Sequence, residues 1–128
     1  MNVPDDLRYS SDHEWIRRDA DTDTVTIGIT DYAQDALGDV VYVDEIEVGA
    51  DVAASDTFTE VESTKSVSDI YAPVSGTVAE VNEALTDPPQ LLNSDPYGDG
   101  WICKIAMSDE SQFDALMDAA AYRALTEG

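Results

Sequence analysis

Cations are almost missing from this chain. Two lysines and four arginines face 19 aspartates and 9 glutamates, for a formal charge of −22 over 128 residues. Such a surface has no basic patch to neutralise phosphates, so nucleic acid is excluded as a partner. Cysteine is scarce too. Cys103 stands alone, which excludes an internal disulfide and a cysteine-rich metal site. The single histidine, His13, cannot build a histidine metal centre. No apolar run approaches the roughly 18 residues of a membrane span. The opening MNVPDDLRYSSDHEW has no basic or apolar segment of a secretory signal. G-x-G-x-x-G, P-loop and G-x-S-x-G motifs do not occur. These absences lead us to expect a soluble, cytoplasmic protein without a membrane or metal and without a catalytic constellation of its own.

What is present is enough for a globular domain. At 43% hydrophobic residues the chain is not a disordered acidic tail. Its length allows one domain, taken as residues 1–128, to bury a core without staples. The acids are scattered along the whole sequence. Their mutual repulsion opposes compaction at low salt and is screened at roughly molar salt, where the Debye length falls to about 3 Å. This balance resembles that of halophilic archaeal proteins, so a high-salt cytoplasm in a halophilic archaeon is expected.

The pattern of apolar residues reads mainly as strands. In TVTIGIT (24–30), Val25, Ile27 and Ile29 fall on one face and the threonines and Gly28 on the other. HEWIR can pair with it across the DADTD turn. DYAQDALG (31–38) reads as one or two helical turns, with Asp31 able to cap and Gly38 to end them. VVYVDEIEVG (40–49), TFTEVES, SVSDIYAP, VSGTVAEVN (74–82) and WICKIAM (101–107) are further strand candidates. TDPPQLLNSDPYGDG (86–100) is a loop, with a helical turn possible at PQLL. The period then changes. Phe113, Leu116, Met117, Ala120, Ala121, Ala124 and Leu125 form an amphipathic helix stripe capped by Ser108 or Asp109. Asp118 can cap a second helix. The role expected for this segment, residues 108–127, is to cover one face of the strand core at 24–106. Trp15 and Trp101 read as core anchors, and Cys103 as a buried, inert thiol.

Within this frame one residue stands out. Lys65, in TEVESTKSVSDIYAPVSG (59–76), lies between two strand candidates. It could be an ordinary surface lysine pairing with Glu62 or Asp69. It could be an amine nucleophile, but that needs a depressed pKa, and Glu60, Glu62 and Asp69 stabilise the ammonium instead. It could carry a covalently attached cofactor, which needs an exposed amine at the tip of a rigid hairpin. The small neighbours Ser63, Thr64 and Ser66 leave the amine unshielded. Val61, Val67 and Ile70 can anchor the hairpin base. The local sequence favours this third reading.

E-S-T-K-S-V-S-D-I-Y-A-P-V-S-G-T-V resembles the lipoyl-lysine hairpin of the glycine cleavage system H proteins. HEW (13–15), T-I-G-I-T-D-Y-A-Q-D-A-L-G-D-V-V-Y-V (26–43), V-N-E-A-L (81–85) and N-S-D-P-Y-G-D-G-W (93–101) are similar to family segments in the same order. Biotinyl domains usually carry Met beside the lysine, whereas Thr64 and Ser66 stand here. The resemblance implies a mainly β fold, the lipoyl-domain barrel-sandwich hybrid of two packed small antiparallel sheets, with short helices and a C-terminal helical segment.

It also implies a monomeric carrier that is not itself an enzyme, with lipoate amide-linked to Lys65. The carrier takes the aminomethyl group of glycine from the pyridoxal-phosphate decarboxylase (P-protein) to the aminomethyltransferase (T-protein). Dihydrolipoyl dehydrogenase (L-protein) reoxidises the arm, and a lipoate-attaching enzyme loads it. The same hairpin would serve an H-like relay that donates lipoyl groups to other enzymes. Glu14 and Asp69 match the acids that hold the loaded amine in the family. The chain departs from it at Ala36, where some members have histidine.

Overall fold

The computed structural model describes residues 3–19, 22–44, 46–86 and 89–127. Among the described residues, nine strands form two antiparallel sheets. The larger has the order β1 (Arg8–Tyr9), β2 (Glu14–Arg18), β3 (Thr24–Ile29), β9 (Cys103–Met107), β8 (Gly76–Val81), β5 (Asp51–Val52). The smaller has the order β4 (Val40–Val43), β6 (Thr57–Ser63), β7 (Val67–Tyr71). Four short helices, α1 (Asp31–Leu37), α2 (Leu91–Ser94), α3 (Glu110–Asp114) and α4 (Ala119–Glu127), lie between and after the strands. This is the two-sheet, mainly β architecture expected from the sequence.

β3 shows how the core is divided. Val25, Ile27 and Ile29 enter the main core with Ile16, Val61, Ile70, Val78 and Ile105. On the opposite face Thr26 and Thr30 are buried as well. A second cluster of Tyr9, Trp15, Tyr122 and Ala119 covers that side. Gly28 makes room for it, since a Cβ there would come 2.5 Å from Trp15 Nε1. The Trp15 indole donates to Pro96 O at 2.8 Å, which ties the loop after α2 to β2.

Three expectations are corrected. VVYVDEIEVG is not one strand. β4 stops at Val43, Gly49 turns the chain at φ +93°, and β5 joins the other sheet. Thr30, not Asp31, caps α1, its hydroxyl accepting from Ala33 N at 3.2 Å. The C-terminal stripe does not run through Ala120, Ala121, Ala124 and Leu125. Asp118 starts a new helix, accepting from Ala121 N at 2.9 Å, and this resets the phase. The buried residues of α4 are therefore Ala119 and Tyr122.

Candidate functional site

β6 and β7 form a hairpin in register Glu60↔Asp69, Val61↔Ser68, Glu62↔Val67. Buried Val61 and Ile70 anchor it in the core. Ser63 builds the turn at its tip. Its amide donates to Ser66 O at 2.8 Å, and its hydroxyl accepts from both Lys65 N and Ser66 N at 3.2 Å. Thr64 N donates to Asp39 O at 3.0 Å, which holds the tip against the segment leading into β4. The turn is therefore fixed while Lys65 itself is exposed. Sequence reading credited Ser63 only with being small and missed its hydroxyl. A serine two residues before the lysine was the available signal, because such hydroxyls close turns on their own backbone.

The Lys65 stem rests over Gly38, the residue that ends α1 at φ +79°. A Cβ at Gly38 would stand 3.2 Å from Lys65 Cε. Every other cation among the described residues has a partner. Arg18 pairs with Asp23 and Glu110, Lys104 with Asp19, and Arg123 with Asp5. Arg8 reaches Leu116 O and the Phe113 ring, and Arg17 the Trp15 ring. The Lys65 ammonium forms no ion pair with Glu62, Asp69 or any other described acid. An exposed, unpaired amine on a fixed turn suits modification by an enzyme that must find it repeatedly.

Glu14 lies elsewhere, at the start of β2. It is 1% exposed. Ser10 Oγ donates to its Oε1 at 2.5 Å, while Oε2 is buried without a hydrogen-bond partner. Burial pushes the carboxyl up to about 7, and the negative charge of Asp12 adds to this. The Ser10 hydrogen bond and, more weakly, the Tyr71 amide pull the other way. A cavity of about 270 Å³ opens beside it, lined among others by Ser10, Asp12, Glu14, Ser55, Pro73 and Met117. Glu14 is thus a buried acid bordering a cavity, and burial without a full set of donors disfavours its charge.

The structure does not bring Asp69 to that cavity. Asp69 is exposed on β7, directly opposite Glu60. Asp12 does line the cavity, and sequence reading did not single it out.

Nor did it anticipate the His13 network. His13 adopts φ +68°, and its ring stacks on Tyr32 with centroids 4.5 Å apart. The Tyr122 hydroxyl stands 2.8 Å from His13 Nδ1 and 2.7 Å from Thr30 Oγ1. Burial lowers the His13 pKa. A neutral ring protonated on Nε2 lets Tyr122 donate to Nδ1 and accept from Thr30. α4 is thereby joined to the cap of α1, the helix whose far end carries the Lys65 stem.

Two small packed antiparallel sheets, with an exposed lysine on a tied-down hairpin, define a protein of the lipoyl-domain fold. A sequence model of the family described as "Glycine cleavage H-protein" matches residues 7–128. The glycine cleavage system H protein of Escherichia coli O7:K1 is 58% identical over 126 residues, which cover 98% of this chain and 97% of that protein. The Citrobacter koseri protein of the same name is also 58% identical over the same shares. The crystal structure of a glycine cleavage system H protein from Mycobacterium marinum matches with a TM-score of 0.89 at 42% identity. That match covers 98% of this chain and 100% of the other. The chain belongs to the glycine cleavage H-protein family. These relatives are bacterial and lend no support to the archaeal source read from the charge.

Proposed function

We propose that this chain is the lipoyl carrier of a glycine cleavage system, with lipoate amide-linked to Lys65. It moves the aminomethyl unit of glycine from the P-protein to the T-protein and meets dihydrolipoyl dehydrogenase between rounds. It does so in the cytoplasm and catalyses no step itself. The observation that carries this reading is Lys65. In a member of this family it is the exposed cation without a partner among the described residues, on a turn fixed by Ser63 and Asp39.

The residues present fit the group. Once bound, lipoate supplies the sulfur pair that takes up the aminomethyl unit and the electrons of the reaction. The chain contributes position. Its hairpin holds the attachment point still, so that a flexible tether keeps the arm's end at high effective concentration for each partner enzyme. Glu14 contributes electrostatics. Its unpaired Oε2 can hold a cargo ammonium out of bulk water, and the incoming cation would return the carboxyl to its ionised form. Ser10 orients that carboxylate. Asp69 acts at longer range, as an exposed acid on the hairpin strand that leads to the cavity.

The acid excess fits work at high salt, whatever the source of the chain. Glu60 and Asp69 face one another across β6 and β7, an arrangement that screening relieves.

Glycine–bicarbonate exchange with the P-protein tests the carrier role. The lipoylated chain should support exchange and Lys65→Ala should not. Normal exchange with Lys65→Ala overturns the proposal. If lipoylation is intact but exchange is absent, and lipoyl groups instead pass to other enzymes, the relay role replaces it.

A further inference from the structure

The hairpin has a cavity on each flank, both of mixed lining, and only one of them contains a buried carboxyl. On the β7 flank the chain runs through Ala72 and Pro73 into the Glu14 cavity. On the β6 flank lies β4, paired as Val40↔Ser63, Tyr42↔Glu62 and Val43↔Val61. A groove of about 500 Å³ follows β4, walled by Val41, Tyr42, Val43, Ile46, Leu85 and Ile102. Exposed Asp44 and Glu83 also line it. Val41 and Tyr42 are 47% and 50% exposed, two of several large apolar side chains left open to solvent.

Three features connect Lys65 to this groove. Its stem rests over Gly38, three residues before Val41. The hairpin tip is tied to the same segment by the bond from Thr64 N to Asp39 O. From the level of Ser63 to that of Val61, β4 descends about 7 Å at the usual strand rise, with an extra residue taken up between Val40 and Tyr42. An arm several bonds longer than lysine itself covers that distance.

From this we infer a second resting place for the arm. The uncharged lipoyl arm of Lys65 lies along β4 in the groove of Val41, Tyr42, Val43, Ile46 and Leu85, and the amine-bearing arm crosses to Glu14. The charge at the arm's end selects the flank. An apolar chain gains by leaving water along β4, whereas at the second cavity it would cover a buried carboxyl without giving it a donor. An ammonium gains most at the buried Glu14 and less beside the solvated Asp44 and Glu83 of the groove. This rests on the proposed attachment at Lys65 and adds to it a binding site for the empty arm.

Methyl and amide NMR on the lipoylated, oxidised protein tests it, with intact mass recorded first. Relative to the unmodified chain, the methyls of Val41, Val43, Ile46 and Leu85 should shift. The amides of Ser10 and Met117 beside Glu14 should not. Val41→Glu and, separately, Tyr42→Ala should abolish the groove shifts while the mass increment and a dispersed spectrum remain. Groove methyls that stay unchanged on lipoylation overturn the inference, as do shifts that survive both variants. If the mass increment itself is missing, the attachment at Lys65 falls and this site falls with it. An increment with a silent groove sinks the groove alone.

Discussion

Glu14→Gln isolates the buried carboxyl on which the amine-holding role rests. The Glu14 pKa stands at about 7 in the fold against an ordinary 4.5. At about 1.4 kcal/mol per unit, ionising Glu14 costs the folded state about 3 kcal/mol. Because the folded pKa is raised, the stability this group allows is fully present below about pH 4.5. It is lost as pH rises through about 7. Glutamine keeps the shape and never ionises. Urea unfolding of unmodified wild type and Glu14→Gln should be followed from pH 4.5 to 8 in molar KCl, so that distant charges are screened. The difference in unfolding free energy should change by about 3 kcal/mol across that window, moving in favour of the variant as pH rises. The absolute offset depends on how the new amide is satisfied, so the slope is the test. Parallel curves would show that Glu14 is not held neutral by burial, and the account of the cavity would fail.

Other perturbations address the remaining parts of the account. The thermal midpoint should climb from low to molar KCl, and Glu60→Lys, facing Asp69, should flatten part of that climb; a salt-independent midpoint contradicts the reading of the charge. Gly38→Ala should cost about 1–2 kcal/mol from the left-handed φ alone and displace the Lys65 stem, seen as a shifted stability and a changed Lys65 methylene spectrum; a neutral result contradicts the close approach. Tyr122→Phe leaves Thr30 Oγ1 and His13 Nδ1 without their shared partner and should cost about 1–3 kcal/mol in chemical unfolding, with loss of the His13–Tyr122 coupling by NMR.

The readable parts of the molecule were those set by short-range pattern. Lys65 between two strand runs, Gly38 ending a helix and Asp109 opening another are local signals. The structure places the first two as read and takes Asp109 rather than Ser108 as the helix cap. What stayed hidden depends on contacts between distant segments. That the opposite face of β3 is covered too could not be read from alternation, which knows nothing of Trp15 packing over Gly28. The break in the C-terminal stripe is a local matter: Asp118 was legible as a possible cap, and only the resulting burial of Tyr122 waited for the fold. At the site, the sequence resemblance pointed equally to Glu14 and Asp69. Burial separates them: one is enclosed with an unpaired oxygen, the other is exposed opposite a second acid. Asp12 beside the cavity needed coordinates to be seen, whereas the Ser63 hydroxyl that closes the turn had a local signal that went unused.

The central claim is that Lys65 carries the lipoyl arm. Intact mass after expression with active lipoylation, for wild type, Lys65→Ala and Lys65→Arg, tests it most directly. The account expects one lipoyl increment on wild type, localised by peptide mapping to Lys65, and none on either variant. An unmodified wild type, or an increment that survives both substitutions, would contradict it.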